Sequence, residues 1–175
     1  RSVRGHRAGR CRAERRDRAG SAQPRGRDRA CGAENDLENG ATGLTLVFAG
    51  ANGARGFGLD PSAETVAQVL DGIYLDAGIG IELQIGPQSR MAAIHVAEFV
   101  KRKGLSPAAC DIRFGLDPLG SRAASGSSSN NWAEIAAMVS SSVKALAAAG
   151  FKGGLVAADG RVIHDAGGPE VQELA

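Results

Sequence analysis

From Leu44 onward the sequence repeats one pattern: a short apolar run, a turn rich in Gly and Pro, then a stretch whose apolar residues recur at helical spacing. Strands separated by single helices pair in parallel through right-handed crossovers, so this rhythm limits the fold to a few topologies. Leu44–Phe48 is the first run, continuously apolar except for Thr45, as in a strand buried on both faces. A glycine-rich loop, Ala49 to Leu59, follows, and Asp60-Pro61-Ser62 caps a helix from Ala63 to Ile73. Gly80–Ile85 is the second strand, and Ser89 to Lys103 the second helix, stopped by Gly104. Cys110–Phe114 is the third strand; Gly115 to Asn130 reads as a long polar loop and Trp132 to Ala149 as a helix. Leu155–Ala158 is the fourth strand, and Pro169 opens a final helix reaching Ala175. The fold class expected is α/β with a parallel sheet, either doubly wound or part of a barrel. A dinucleotide fold would need GxGxxG between the first strand and its helix, which Gly53-Ala54-Arg55-Gly56-Phe57-Gly58 does not supply.

Residues 1–34 break from this rhythm. They hold eleven Arg against four acids (+7), whereas residues 35–175 hold ten basic and fifteen acidic side chains (−5). Val3 is the only large aliphatic side chain in the segment, too little apolar surface to offset the entropy of ordering it, so disorder is expected there. Nucleic-acid binding is one reading of such a basic arm, but it has no lysine and no aromatic residue, and Glu14, Asp17, Asp28 and Glu34 interrupt its charge. An organelle transit peptide would be acid-poor and amphipathic. A third reading is a GC-rich gene translated in the wrong frame upstream of Asn35. No apolar run approaches the ~18 residues of a spanning helix, which points to a soluble, cytoplasmic protein. Cys11, Cys31 and Cys110 match no disulfide or metal spacing.

Two motifs point to a family. Asp36–Phe48 (DLENGATGLTLVF) resembles the helix, Gly turn and GLSVAF-type barrel strand of the methylmalonyl-CoA mutases. Gly160–Gly167 (GRVIHDAG) followed by Glu170–Ala175 (EVQELA) resembles that family's SGYH-x-x-E-A-G strand end and QELA helix. The motifs lie in the family's order, and the resemblance covers residues 35–175. It implies a partial (β/α)₈ TIM barrel of about four βα units, cut off in its last helix. In the family the barrel holds the pantetheine arm of an acyl-CoA along its axis. A separate domain presents adenosylcobalamin, whose radical chemistry moves the carbonyl-CoA group.

On the family pattern Val162 stands where SGYH has its histidine, Arg161 where it has tyrosine, and Arg113 where a strand-end glutamine is expected. An RQYAGF-type strand and the DxHxxG cobalamin signature are missing. These departures resemble the non-catalytic small-subunit branch, which implies a heterodimer with a catalytic mutase subunit, with cobalamin and acyl-CoA bound at the level of the complex.

Residues that could still carry chemistry lie at the expected strand ends. His164 follows the fourth strand, beside Asp165 and after Asp159, and could act as an acid or base; a loop histidine bonded to nearby backbone is the alternative. Arg113 and Asp117 flank Gly115, where an arginine could hold a phosphate or carboxylate or form an internal ion pair. Asn52 and Arg55 occupy the first exit loop, suited to contact with a ligand or the partner subunit. The stretch Gly120 to Ser129 could cover a ligand or simply connect two elements. His95 reads as structural, and no metal site can be built from His6, His95 and His164.

Overall fold

The computed structural model describes residues 9–11, 37, 41–126 and 130–174. The strands are β1 (Gly9–Cys11), β2 (Gly43–Val47), β3 (Gly80–Gln84) and β4 (Ile112–Arg113). The helices are α1 (Ala63–Leu70), α2 (Met91–Arg102), α3 (Pro118–Ser125), α4 (Trp132–Ala148), α5 (Arg161–Asp165) and α6 (Glu170–Leu174). All four strands are parallel and lie side by side in chain order. The α/β class and the parallel pairing are therefore as expected. The disorder expected for residues 1–34 lies outside the described residues except at Gly9–Cys11, which pairs with β2. Among the described residues no helix is long and apolar enough to cross a membrane.

The sheet has two unlike faces because side chains alternate along a strand. In register across β2, β3 and β4 runs one row of Leu44, Ile81 and Ile112, all about 1% exposed. Leu46, Leu83, Phe48 and Phe114 extend the same surface. Against it pack Val66, Val69 and Leu70 of α1, Val96, Phe99 and Val100 of α2, and Leu146 of α4, forming one core. Crossovers of one hand, repeated in one direction, carry these helices to the same side. The opposite row is Thr45, Glu82 and Arg113, with Glu82 and Arg113 exposed. Only β2 thus has the two-sided burial its apolar run suggested; β3 and β4 alternate.

Local chemistry sets the element ends. Ser62 caps α1 by accepting from the Thr65 amide at 3.3 Å. That helix stops at Leu70 rather than Ile73, since Gly72 turns the chain with φ 82°; Ile73 still reaches the core, from the turn. Asn131 and Glu134 form a reciprocal capping box that starts α4.

Three expectations are corrected. The long polar loop from Gly115 to Asn130 contains α3, whose N-cap Asp117 and first-turn Pro118 begin a helix that buries only Gly120 and so carries no apolar stripe. The fourth strand, Leu155–Ala158, narrows to a single parallel bridge of Val156 with Leu116, held by Leu116 N–H donating to Leu155 O at 3.1 Å and Ala157 N–H to Leu116 O at 3.1 Å. The SGYH-like segment is not a strand end but forms α5.

Candidate functional site

The strands' C-terminal ends open into a cleft of about 510 Å³. Its polar lining comes from five places in the chain. Asn52 and Gly53 come from the β2 exit loop, Glu82 and Gln84 from β3, Arg113 from β4, Asp117 from the N-cap of α3, and Asp159 and Arg161 from the turn that leads into α5.

Asp159 and Arg161 dominate its electrostatics. Arg161 Nε donates to Asp159 Oδ1 at 2.7 Å and Nη2 to Oδ2 at 2.6 Å, a two-pronged pair, while the Arg161 amide also donates to Oδ1 at 3.1 Å. These guanidinium hydrogen bonds hold the Asp159 carboxyl below its ordinary range, against the opposing effect of partial burial. Asp159 in turn raises the Arg161 pKa, with Glu82 and Asp165 contributing smaller attractions. Gly53 lies against the same groups: a Cβ there would meet Gln84 Oε1 and sit 3.2 Å from Arg161 Nη1, both at the ends of flexible side chains.

Asp117 is committed to architecture. Its Oδ1 accepts from Gly120 N–H at 2.8 Å, capping α3, and its Oδ2 accepts from Asp159 N–H at 3.1 Å, tying the last loop to the third strand's exit. Arg113 lines the cleft, mostly exposed, with Nη2 3.8 Å from Asp111 Oδ2. Asn52 lines it as well. Arg55 does not: it is exposed, in a left-handed turn with φ 48°. His164 is outside the cleft lining too, exposed in the last turn of α5 rather than in a loop. Sequence reasoning thus brings Arg113, Asp117 and Asn52 to one place and misses Arg161 with Asp159 as its centre. The signal was an Asp and an Arg two residues apart, directly after the fourth apolar run.

His95 lies on α2, its Nδ1 3.6 Å from Glu98 Oε2, remote from the strand ends. Cys110 is a free, buried thiol whose burial pushes its pKa up and makes it a poor nucleophile. Among the described residues no group of His, Cys, Asp and Glu is placed to hold a metal ion.

The Asp159 pair gives a pH prediction. A carboxyl whose folded pKa lies below its unfolded value contributes stability above the unfolded value of about 3.9, and that contribution disappears as pH falls through the folded value. The urea midpoint of wild type should therefore exceed that of Asp159→Asn at pH 6, and the gap should close in acid. A gap independent of pH would show that the ion pair contributes nothing.

A parallel α/β sheet wound in one direction, with its polar cleft at the strands' C-terminal ends, has the form of α/β proteins that place their sites at strand ends. Over 140 residues, 79% of its length, the chain is 31% identical to a protein named methylmalonyl-CoA mutase small subunit from Streptomyces virginiae, and this bears out the family resemblance read from its motifs. The matched region is 20% of that relative, so the chain spans about a fifth of its length. No family model matches the sequence, and no solved structure matches it.

Proposed function

We propose that residues 35–175 are a segment of a (β/α)₈ barrel, of about four βα units, and that its role is structural, in a complex with a catalytic mutase subunit. The complex would interconvert methylmalonyl-CoA and succinyl-CoA. Side-by-side parallel strands in chain order support the barrel reading, because a doubly wound sheet reverses its strand order at a switch point. Likeness to the small subunit supports the partner.

The observation that carries the non-catalytic reading is the closed Asp159–Arg161 pair. The position that corresponds to tyrosine in the family motif holds a guanidinium, which cannot release a proton at neutral pH, and its carboxylate partner is already occupied. Adenosylcobalamin supplies radical chemistry when bound to such a complex, but the described residues do not fit it. The corrin ring leaves cobalt only an axial position for a side chain to fill, and neither of the described histidines, His95 and His164, lines the strand-end cleft.

Mixing the chain with a full-length cobalamin-binding mutase subunit, followed by co-purification and an isomerase assay of the pair and each part, tests the proposal. The expected result is a stable pair, no turnover by this chain alone, and unchanged turnover when His164→Ala is introduced. Turnover by the chain alone, or its loss from the pair with His164→Ala, would favour a mutase with relocated catalytic groups; failure to associate would remove the structural role.

A further inference from the structure

A second cleft, of about 570 Å³, opens beside the first and has different chemistry. Its wall is apolar: Ile85 and Leu116 from the strand exits, and Ile135, Met138 and Val139 from α4. That helix has only Glu134 and Lys144 as charged residues among its seventeen, yet Leu146 is its single fully buried side chain. Among the described residues little of this apolar helix is covered, so its face along the cleft can meet the chain of a ligand.

Arg90 and Arg122 stand at the rim. Arg90 is held in place, Nε donating to Pro87 O at 3.2 Å and Nη1 lying 3.3 Å from Met138 Sδ, which sets its guanidinium over the apolar wall. Arg122, in the last turn of α3, forms no ion pair with a described residue. Asp117 is the only acid among the described lining residues, and both its carboxylate oxygens already accept backbone N–H groups. The rim is therefore net positive above an apolar floor, within the size range of small-molecule sites.

We propose that this cleft binds a small aliphatic carboxylate, its head group on Arg90 and Arg122 and its chain along Ile135, Met138 and Val139. Guanidinium groups suit a planar carboxylate, and the thioether and branched side chains suit an alkyl chain of several carbons. Nothing in the structural role proposed above depends on this site, and the site does not depend on that role.

The chain has two methionines, so the test can be read on two methyl signals. Octanoate titrated into the full chain should shift the Met138 methyl resonance and leave that of Met91, which is exposed and outside the cleft, unmoved. Octanol, without the charge, and acetate, without the chain, should each bind about tenfold more weakly or worse. Arg122→Ala, at an exposed position, should weaken octanoate binding about tenfold with the circular dichroism spectrum unchanged, and Val139→Asp should weaken it at least as much. Octanoate binding no tighter than acetate or octanol, a Met138 signal that does not respond, or affinity indifferent to Arg122→Ala would each overturn the proposal.

Discussion

Phe114→Ala is expected to remove about 3–5 kcal/mol of stability, the usual cost of emptying a buried aromatic site. Phe114 is fully buried and meets Phe151 edge to face, ring centroids 5.0 Å apart at 78°. Such a pair adds about 0.5–1.5 kcal/mol beyond burial of its area. The same residue's amide donates to Gly154 O at 2.8 Å, so β4 is joined to the last βα unit by both side chain and backbone at one point. A domain of this size has about 5–15 kcal/mol of stability in all, so the variant should lose a large fraction of it. Urea denaturation followed by fluorescence and circular dichroism measures the effect. A loss below about 1 kcal/mol would mean that the edge-to-face packing does not hold the last unit in place.

Gly115→Val should be comparably damaging for a different reason. Gly115 has φ 58°, a left-handed conformation that costs an ordinary L-residue about 1–2 kcal/mol and a β-branched one more. A Cβ there would also strike the backbone oxygen of Leu83 on the adjoining strand, and overpacking of this kind costs about 1–3 kcal/mol. Since the obstruction is backbone, no side-chain rotation relieves it, and β3 and β4 must separate. The expected loss is about 2–5 kcal/mol, measured by the same denaturation. Gly126→Val provides the control: it shares the left-handed φ, at 68°, but a Cβ there meets nothing within 4 Å, so it should show the conformational cost alone. Equal losses at the two positions would show that the approach of β3 to β4 is not what requires glycine.

The first three apolar runs and the principal helices were legible because their apolar period is strong, whereas β1 at Gly9–Cys11 and the single bridge at Val156 were not. Leu44, Leu46 and Phe48, then Ile81, Leu83 and Ile85, and the Val96, Phe99, Val100 stripe all reach the core. Helix α3 was not legible from apolar spacing, because it buries no large side chain. The Asp117-Pro118 pair was nonetheless the same kind of start signal that was used correctly at Asp60-Pro61-Ser62. In the cleft, Arg113, Asp117 and Asn52 could be anticipated because residues at the ends of parallel strands converge whatever their identity. His164 follows the fourth apolar run as read, but the chain there forms α5 rather than a loop, and His164 lies outside the cleft lining. The spacing of Asp159 and Arg161 was a signal for their pairing, but spacing alone does not place that pair in the strand-end cleft.

Strand order that follows chain order has a kinetic consequence. Each new strand finds its partner in the one laid down immediately before it, so no segment has to wait for a distant stretch of chain before it can pair. Such a chain can add structure by accretion as it leaves the ribosome, each βα unit using its predecessor as a template. The edge that each unit presents is a template for the next, and among the described residues the outermost rung is Leu116 with Val156, where Val156 is half exposed.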